Sequence, residues 1–408
     1  MKTVVIGGGA AGMMCAYYSA LSGAQTVLLE QNEKLGKKLY ITGKGRCNIT
    51  NDCDEQEFLT NVVTNSRFLS SAIWSFSPAD MMQFVQNNGL AIKTERGNRV
   101  FPLSDKSSDV IKCLQKAMLS VGVEINLNCK VYDIIIKDSV ITGVSCSLGT
   151  IECDKVVVCT GGKSYPSTGS TGDGYRFAKD AGHTVMPLRP ALCGIELIGK
   201  NFAELAGLTL KNIAVKVLKN GKTIYTDFGE LLFTHVGVSG PVIISASSYI
   251  SKEGGNDFEI SIDLKPALDE KTLDARLLRD FSQYKNKNLK NALVDLLPKS
   301  LIGEVISHAK VNENVNVSEL NALSRQKILS ALKDLRYKVA KLRPLEESIV
   351  TGGGVNVKEI NPKTMESKLV KGLYFAGEVL DVDALTGGFN LQCAFAMGYL
   401  AGNANKNN

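Results

Sequence analysis

No two of the ten cysteines have CxxC spacing, and no stretch of the chain approaches the ~20 unbroken apolar residues of a membrane-spanning helix. The first absence removes a zinc signature, and no metal site is expected. Cys47 and Cys53 are separated by five residues, one more than the CxxxxC pair of disulfide reductases, which argues against a redox disulfide. Other cysteines end apolar runs, as in Val156-Val157-Val158-Cys159, and read as reduced buried thiols in a cytoplasmic protein. There is no long basic tail either. The net charge of +6 is spread along the chain with a local cluster at Lys34, Lys37, Lys38, Lys44 and Arg46, which points to anionic small ligands and away from nucleic acid. Aromatics are few at 7%, while glycine is frequent at 38 residues, a balance ordinary for a folded α/β chain. Repeats and low-complexity tracts are missing from the body of the chain, and 408 residues allow two or three domains.

The glycines come first in the chain. Lys2 followed by a mostly apolar stretch resembles a signal peptide, but Gly7, Gly8, Gly9 and Gly12 interrupt it where a strand should turn into a helix. Thr3 to Ile6 reads as a strand, Gly12 to Ser22 as a helix and Thr26 to Glu30 as a second strand, so that Gly7-Gly8-Gly9-Ala10-Ala11-Gly12 is G-x-G-x-x-G in a βαβ context. In that context Gly7 makes the turn, Gly9 lets backbone approach a pyrophosphate and Gly12 allows close helix packing. The helix N-terminus offers N–H groups to phosphate, and Glu30 is placed to accept from ribose hydroxyls. A purely structural glycine turn is the alternative.

Later segments select FAD over NAD as the resident dinucleotide. Leu373 to Ala376 reads as a buried strand ending at Gly377-Glu378, a carboxylate position suited to a ribityl chain. Thr386-Gly387-Gly388-Phe389-Asn390 opens a last helix, expected over Leu391 to Ala401, whose N–H groups can face the N1/O2 edge of a flavin. Val156 to Cys159 stops at Thr160-Gly161-Gly162, small enough to pass beneath a cofactor, and Val131 is placed for backbone contact to adenine. Gly352-Gly353-Gly354 lacks the third spaced glycine of a second nucleotide motif, so a nicotinamide nucleotide would visit the flavin directly. Arg46 suits a phosphate or the flavin pyrimidine edge, with a solvated surface arginine as the alternative. His235 and Tyr165 are candidate proton donors, and a structural histidine bonded to backbone is an equal reading of His235.

The organisation expected is an α/β, Rossmann-like FAD-binding domain over 1–189 and 348–408, interrupted by a β-barrel-like substrate domain over 190–268 and 334–347. A helical insert is expected over 269–333. The barrel signals are short runs at Ile213 to Leu218, Thr223 to Tyr225 and Phe258 to Leu264, with Asn220-Gly221 as a hairpin. The insert is marked by Leu289, Leu293, Leu296 and Leu297 at helical spacing before Pro298.

Thr42-Gly43-Lys44-Gly45-Arg46-Cys47-Asn48-Ile49-Thr50-Asn51, Gly161-Gly162-Lys163-Ser164-Tyr165-Pro166 with Gly169 to Gly174, Leu232 to Pro241, and Gly377 to Asp383 together give a wider pattern. It resembles the BaiN-like family of NAD(P)/FAD-dependent oxidoreductases. The blocks span nearly the whole chain, with one departure at Lys44, where the family's loop tends to carry a third glycine. The resemblance implies tightly bound FAD, an NAD(P)H reductant, and ene-reduction of an activated C=C in an apolar, steroid- or bile-acid-like carbonyl compound. It extends the expected cofactor contacts to Gln31, Lys38, Gly45, Cys47, Asn48 and Leu391. A flavin oxidase or dehydrogenase running the other way, and a flavin-bound regulatory protein, remain alternatives.

Overall fold

Val4, Val5 and Ile6 are buried in succession, the pattern of a parallel strand covered on both faces. This strand, β1 (Lys2–Ile6), is central in a five-stranded parallel sheet ordered Leu373–Phe375, Lys155–Val158, β1, β2 (Gln25–Leu29) and Glu124–Asn126. Helix α1 (Ala10–Leu21) makes the crossover from β1 to β2. The structure, a computed structural model, describes residues 1–199 and 202–404. It comprises two units, Met1–Ala191 with Pro344–Asn408, and Leu192–Arg343.

In the first unit the last helix, Phe389–Asn403, lies along α1. Gly398 faces the backbone of Ala11 and Gly402 that of Cys15, where any side chain would overlap the neighbouring main chain. Position 398 against 11 and 402 against 15 means the helices run parallel. The last helix therefore starts about 12 Å further out than α1, at 1.5 Å per residue. Its buried Gln392 ties that end down, accepting from the Thr50 hydroxyl at 2.9 Å and donating to the Phe76 carbonyl at 2.9 Å.

The second unit is a closed six-stranded antiparallel barrel of Ile195–Ile198, Gly237–Ser239, Lys222–Thr234, Thr209–Lys219, Phe258–Asp263 and Leu335–Leu342. Helices Glu270–Gln283, Lys299–Ala309 and Ala322–Lys333 share its core, with Leu277, Ile302 and Leu329 in one apolar cluster with Phe233 and Ile260.

Several expectations from sequence need correction. β2 runs over Gln25–Leu29, and the Glu30 N–H just past its end still donates to the Asn126 carbonyl of the neighbouring strand. Glu124–Asn126 belongs to the parallel sheet, and Val131–Lys137 lies in a separate antiparallel sheet with Val140–Cys146 and Gly149–Glu152. The barrel region is not purely β, since Pro241–Glu253 is a helix with proline in its first turn. Leu289 to Leu297 is helical only over Leu289–Ala292. Leu293, Leu296 and Leu297 are buried from irregular backbone, so their spacing reflects burial and not helix.

Candidate functional site: a dinucleotide cradle

The glycines of the first turn differ sharply in what the protein's own packing asks of them. Gly7 has φ +104, and a side chain there would meet the Cys159 carbonyl at 2.6 Å. A side chain at Gly12 would overlap the carbonyl of Gly7. At Gly9 an added Cβ meets nothing within 4 Å. Folding thus requires Gly7 and Gly12, whereas the bare backbone at Gly9 faces open space. Gly9 caps α1 with no side-chain hydrogen bond, and no acidic residue stands in the first turn, leaving the N–H groups of Ala10, Ala11 and Gly12 to an external acceptor.

Glu30, buried beside this turn, accepts from the Gly8 N–H at 2.7 Å through one oxygen and from the Asn32 N–H at 2.8 Å through the other. Asn32, not anticipated from sequence, also donates its amide to Glu30. Gln31 donates to the Gly169 carbonyl at 2.8 Å. Val131 opens the antiparallel sheet, outside the parallel strands beside Glu30. The turn before it still passes close, with the Cys129 N–H on the Glu30 carbonyl.

Gly377 lies against Ala11, and Glu378 follows it into a tight polar knot. Its carboxylate accepts from Lys38 Nζ at 2.8 Å, Ser164 Oγ at 3.1 Å and the Thr351 N–H at 2.9 Å. Burial pushes its pKa upward, but the Lys38 charge and these donors outweigh burial and hold it below the ordinary carboxylate range. Thr351 also accepts from the N–H groups of Lys163 and Ser164, so it fixes the loop after Gly161-Gly162. Sequence spacing gave no hint of Thr351. Thr160 at the head of that loop has a buried hydroxyl with no partner.

At the outer end, Gly388 (φ +98) caps the last helix where any side chain would overlap the Thr50 carbonyl, again with no side-chain cap and no acidic first-turn residue. Asn390 turns its side chain away from this opening, accepting from Ala384 N–H at 3.0 Å and donating to the Ala384 and Leu385 carbonyls. Asn390 therefore leaves its main-chain N–H, like that of Leu391, as its free donor in the first turn. Two residues before Thr50, Asn48 has a buried side-chain oxygen with no partner. The loop leading to it runs through left-handed backbone at Gly43, Lys44, Gly45 and Cys47. Arg46 is partly exposed, and its guanidinium pairs with Glu95 at 2.5 Å and Asp105 at 2.6 Å and stacks on Phe101. Hydrogen bonds to Glu95 and then Asp105 raise its pKa further.

Burial pushes the Cys47 thiol up to about 11, and burial with four acidic neighbours, Glu57 foremost, pushes Cys53 up to about 12. All ten cysteines are free thiols. Tyr165 is half-buried in left-handed backbone (φ +50) beside Ser164. His235 belongs to the second unit, at the exposed turn between Lys222–Thr234 and Gly237–Ser239. Among the described residues no His, Cys, Asp and Glu cluster could hold a metal ion, and no helix is long and apolar enough to cross a membrane.

The cradle fits a dinucleotide. Two parallel, uncapped helix N-termini are staggered along it, a glycine that packing does not require faces open space, and unpartnered buried oxygens at Asn48 and Thr160 lie on its loops. The fold and this cradle define an FAD-dependent oxidoreductase of the Rossmann type. The protein belongs to the family of the HI0933-like protein Rossmann domain, which matches residues 1–404. It is 30% identical over 404 residues to a 3-dehydro-bile acid delta(4,6)-reductase of Clostridium scindens, covering 98% of each chain. It is 32% identical over 396 residues to a ribosomal RNA dihydrouridine synthase of Escherichia coli, covering 96% of this chain and 95% of that one. Among solved structures, 3-ketosteroid-delta4-(5alpha)-dehydrogenase from Rhodococcus jostii shares the fold, with TM-score 0.54, 13% identity and coverage of 99% and 96%.

Proposed function

We propose that the protein is an FAD-dependent reductase that saturates a C=C bond conjugated to a carbonyl, with NAD(P)H as reductant. The observation that carries this reading is the staggered pair of uncapped helix N-termini. One suits a pyrophosphate, and the other suits a ring edge where reduction places negative charge. The relatives support the bond type. A delta(4) bond beside a 3-dehydro group, and the ring double bond lost when uridine becomes dihydrouridine, are both conjugated to a carbonyl.

Bound FAD supplies hydride transfer. The chain's part is binding, orientation and protons. Ala10, Ala11 and Gly12 hold the diphosphate, Glu30 the adenosine ribose, and Glu378, fixed by Lys38, Ser164 and Thr351, the ribityl side. The N–H groups of Phe389, Asn390 and Leu391 stabilise charge at the ring edge, and Asn48 offers its buried oxygen to a ring N–H. Proton delivery to the substrate falls to Tyr165 or His235.

A second reading keeps the chemistry and takes a uracil ring in RNA as substrate. Residues 192–343 carry 22 Lys and Arg against 17 Asp and Glu, whereas the rest of the chain carries 25 against 24, so nearly all the positive excess lies in the inserted unit. Anaerobic turnover with NADH or NADPH tests both. A 3-oxo-Δ4 steroid or a uridine-containing ribosomal RNA fragment should be saturated, with deuterium from labelled nucleotide in the product. Flavin bleached by either nucleotide and reoxidised only by oxygen would sink the reductase reading.

A further inference from the structure

Gly352 opens no second nucleotide motif, and the structure gives it another use. The Arg189 guanidinium, from strand Val185–Ala191, lies where any side chain at Gly352 would stand. It donates to Thr64 Oγ1 at 2.9 Å and to Asp383 Oδ1 at 3.2 Å, and stands 3.9 Å from Asp381 Oδ1. Asn65 donates to the Asp381 carbonyl at 2.6 Å and to its Oδ2 at 3.1 Å. Asp383 is wholly buried and Asp381 nearly so, and Asp381 Oδ1 and Asp383 Oδ2 have no hydrogen-bond partner. The Tyr175 hydroxyl, on a residue only 6% exposed, also lacks a partner, and the charges acting on it are Glu378 and Asp381.

Two carboxyls on one guanidinium leave a net negative charge in the interior if both ionise, and one proton removes it. We propose that Asp381 and Asp383 share one proton at neutral pH, and that this proton is coupled to the charge on the ring at the N-terminus of the last helix. The coupling rests on the flavin reading of that terminus, and the shared proton does not. The link is short, because Asp383 pairs with Thr64 and continues into Ala384, which the Asn390 side chain clasps at both N–H and carbonyl.

The neighbouring groups agree. Burial raises the Asp381 carboxyl, Arg189 opposes that, and Asp383 adds to it. On the last helix, burial and then Asp383 raise the Cys393 thiol. For a carboxyl raised in the folded state, its stabilising contribution is present below the unfolded value and is lost as pH rises through the folded one.

Infrared spectra of the full-length protein at neutral pH test the proton. A protonated-carboxyl band should appear in wild type, shift on carbon-isotope labelling of aspartate, and vanish in Asp381→Asn and in Asp383→Asn. No such band in wild type, or a band untouched by labelling, overturns the shared proton whether or not the variants fold. For the coupling, the midpoint potential of bound FAD should depend more steeply on pH in wild type than in either variant. Parallel profiles overturn the coupling. A protein that binds no FAD overturns it together with the flavin reading, while the infrared result still decides the proton.

Discussion

The cofactor unit and the inserted unit are specified by different kinds of residue. Around the cradle, positions are set by backbone demands: Gly7 and Gly12 by close approach, Gly388 by the Thr50 carbonyl, Cys47 and Lys44 by left-handed conformation. The inserted unit has such demands at Gly237 and Gly240, but its core is ordinary side-chain burial, with Leu273, Leu277, Ile260 and Leu301 fully enclosed in one cluster, and it carries nearly all of the chain's excess positive charge. Backbone demands leave local signatures that name a ligand class. A hydrophobic core of barrel and helices specifies shape and says little about substrate, which is why the cofactor is far better defined than the substrate.

The largest effect that sharpens this contrast is at Gly9. Gly9→Val should abolish FAD binding while leaving the flavin-free thermal midpoint close to wild type, since nothing in the protein occupies that space. Gly12→Val should instead cost the fold itself. Calorimetry beside FAD fluorescence titration checks both, and equal FAD affinity in Gly9→Val would break the account of the turn.

Next in size is a core truncation in the other unit. Leu277→Ala should destabilise by about 2–5 kcal/mol while FAD affinity stays at the wild-type value. Denaturant unfolding followed by separate reporters in the two units would show it. Glu30→Ala should weaken FAD binding by on the order of 1–3 kcal/mol, because it removes a charged acceptor and frees the Gly8 and Asn32 N–H groups. An unchanged dissociation constant excludes the ribose role. The smallest effect is at Lys44, whose φ of +58 is left-handed backbone that glycine adopts more readily. Lys44→Gly should stabilise by about 1 kcal/mol or less, the left-handed penalty offset by glycine's chain entropy, and a lowered urea midpoint would contradict this.

The same distinction governs what the sequence disclosed. The turn from β1 to α1 was legible because its signature is local, a strand, three spaced glycines and a carboxylate in register. The last helix was legible from Gly387-Gly388, though it starts two residues earlier than Leu391. The region between Asn51 and Ser107 carries no comparable glycine signature. Its helices are short, although Ser77-Pro78-Ala79-Asp80 is a capping box that announces one of them. Within the site, the Glu378 partners Lys38 and Thr351, the Arg46 partners Glu95 and Asp105, and the Arg189 cluster join residues far apart in the chain. No spacing rule links such residues. The Leu289 to Leu297 series misled for the complementary reason, since burial alone reproduced a helical period.

The most direct test of the reductase reading is a single turnover without oxygen. Enzyme reduced stoichiometrically by NAD(P)H and mixed with a 3-oxo-Δ4 steroid, or with uridine-containing ribosomal RNA, should regain the oxidised flavin spectrum. One equivalent of saturated product should form per FAD. Flavin that stays reduced with both compounds, and reoxidises only when air is admitted, would contradict the reading.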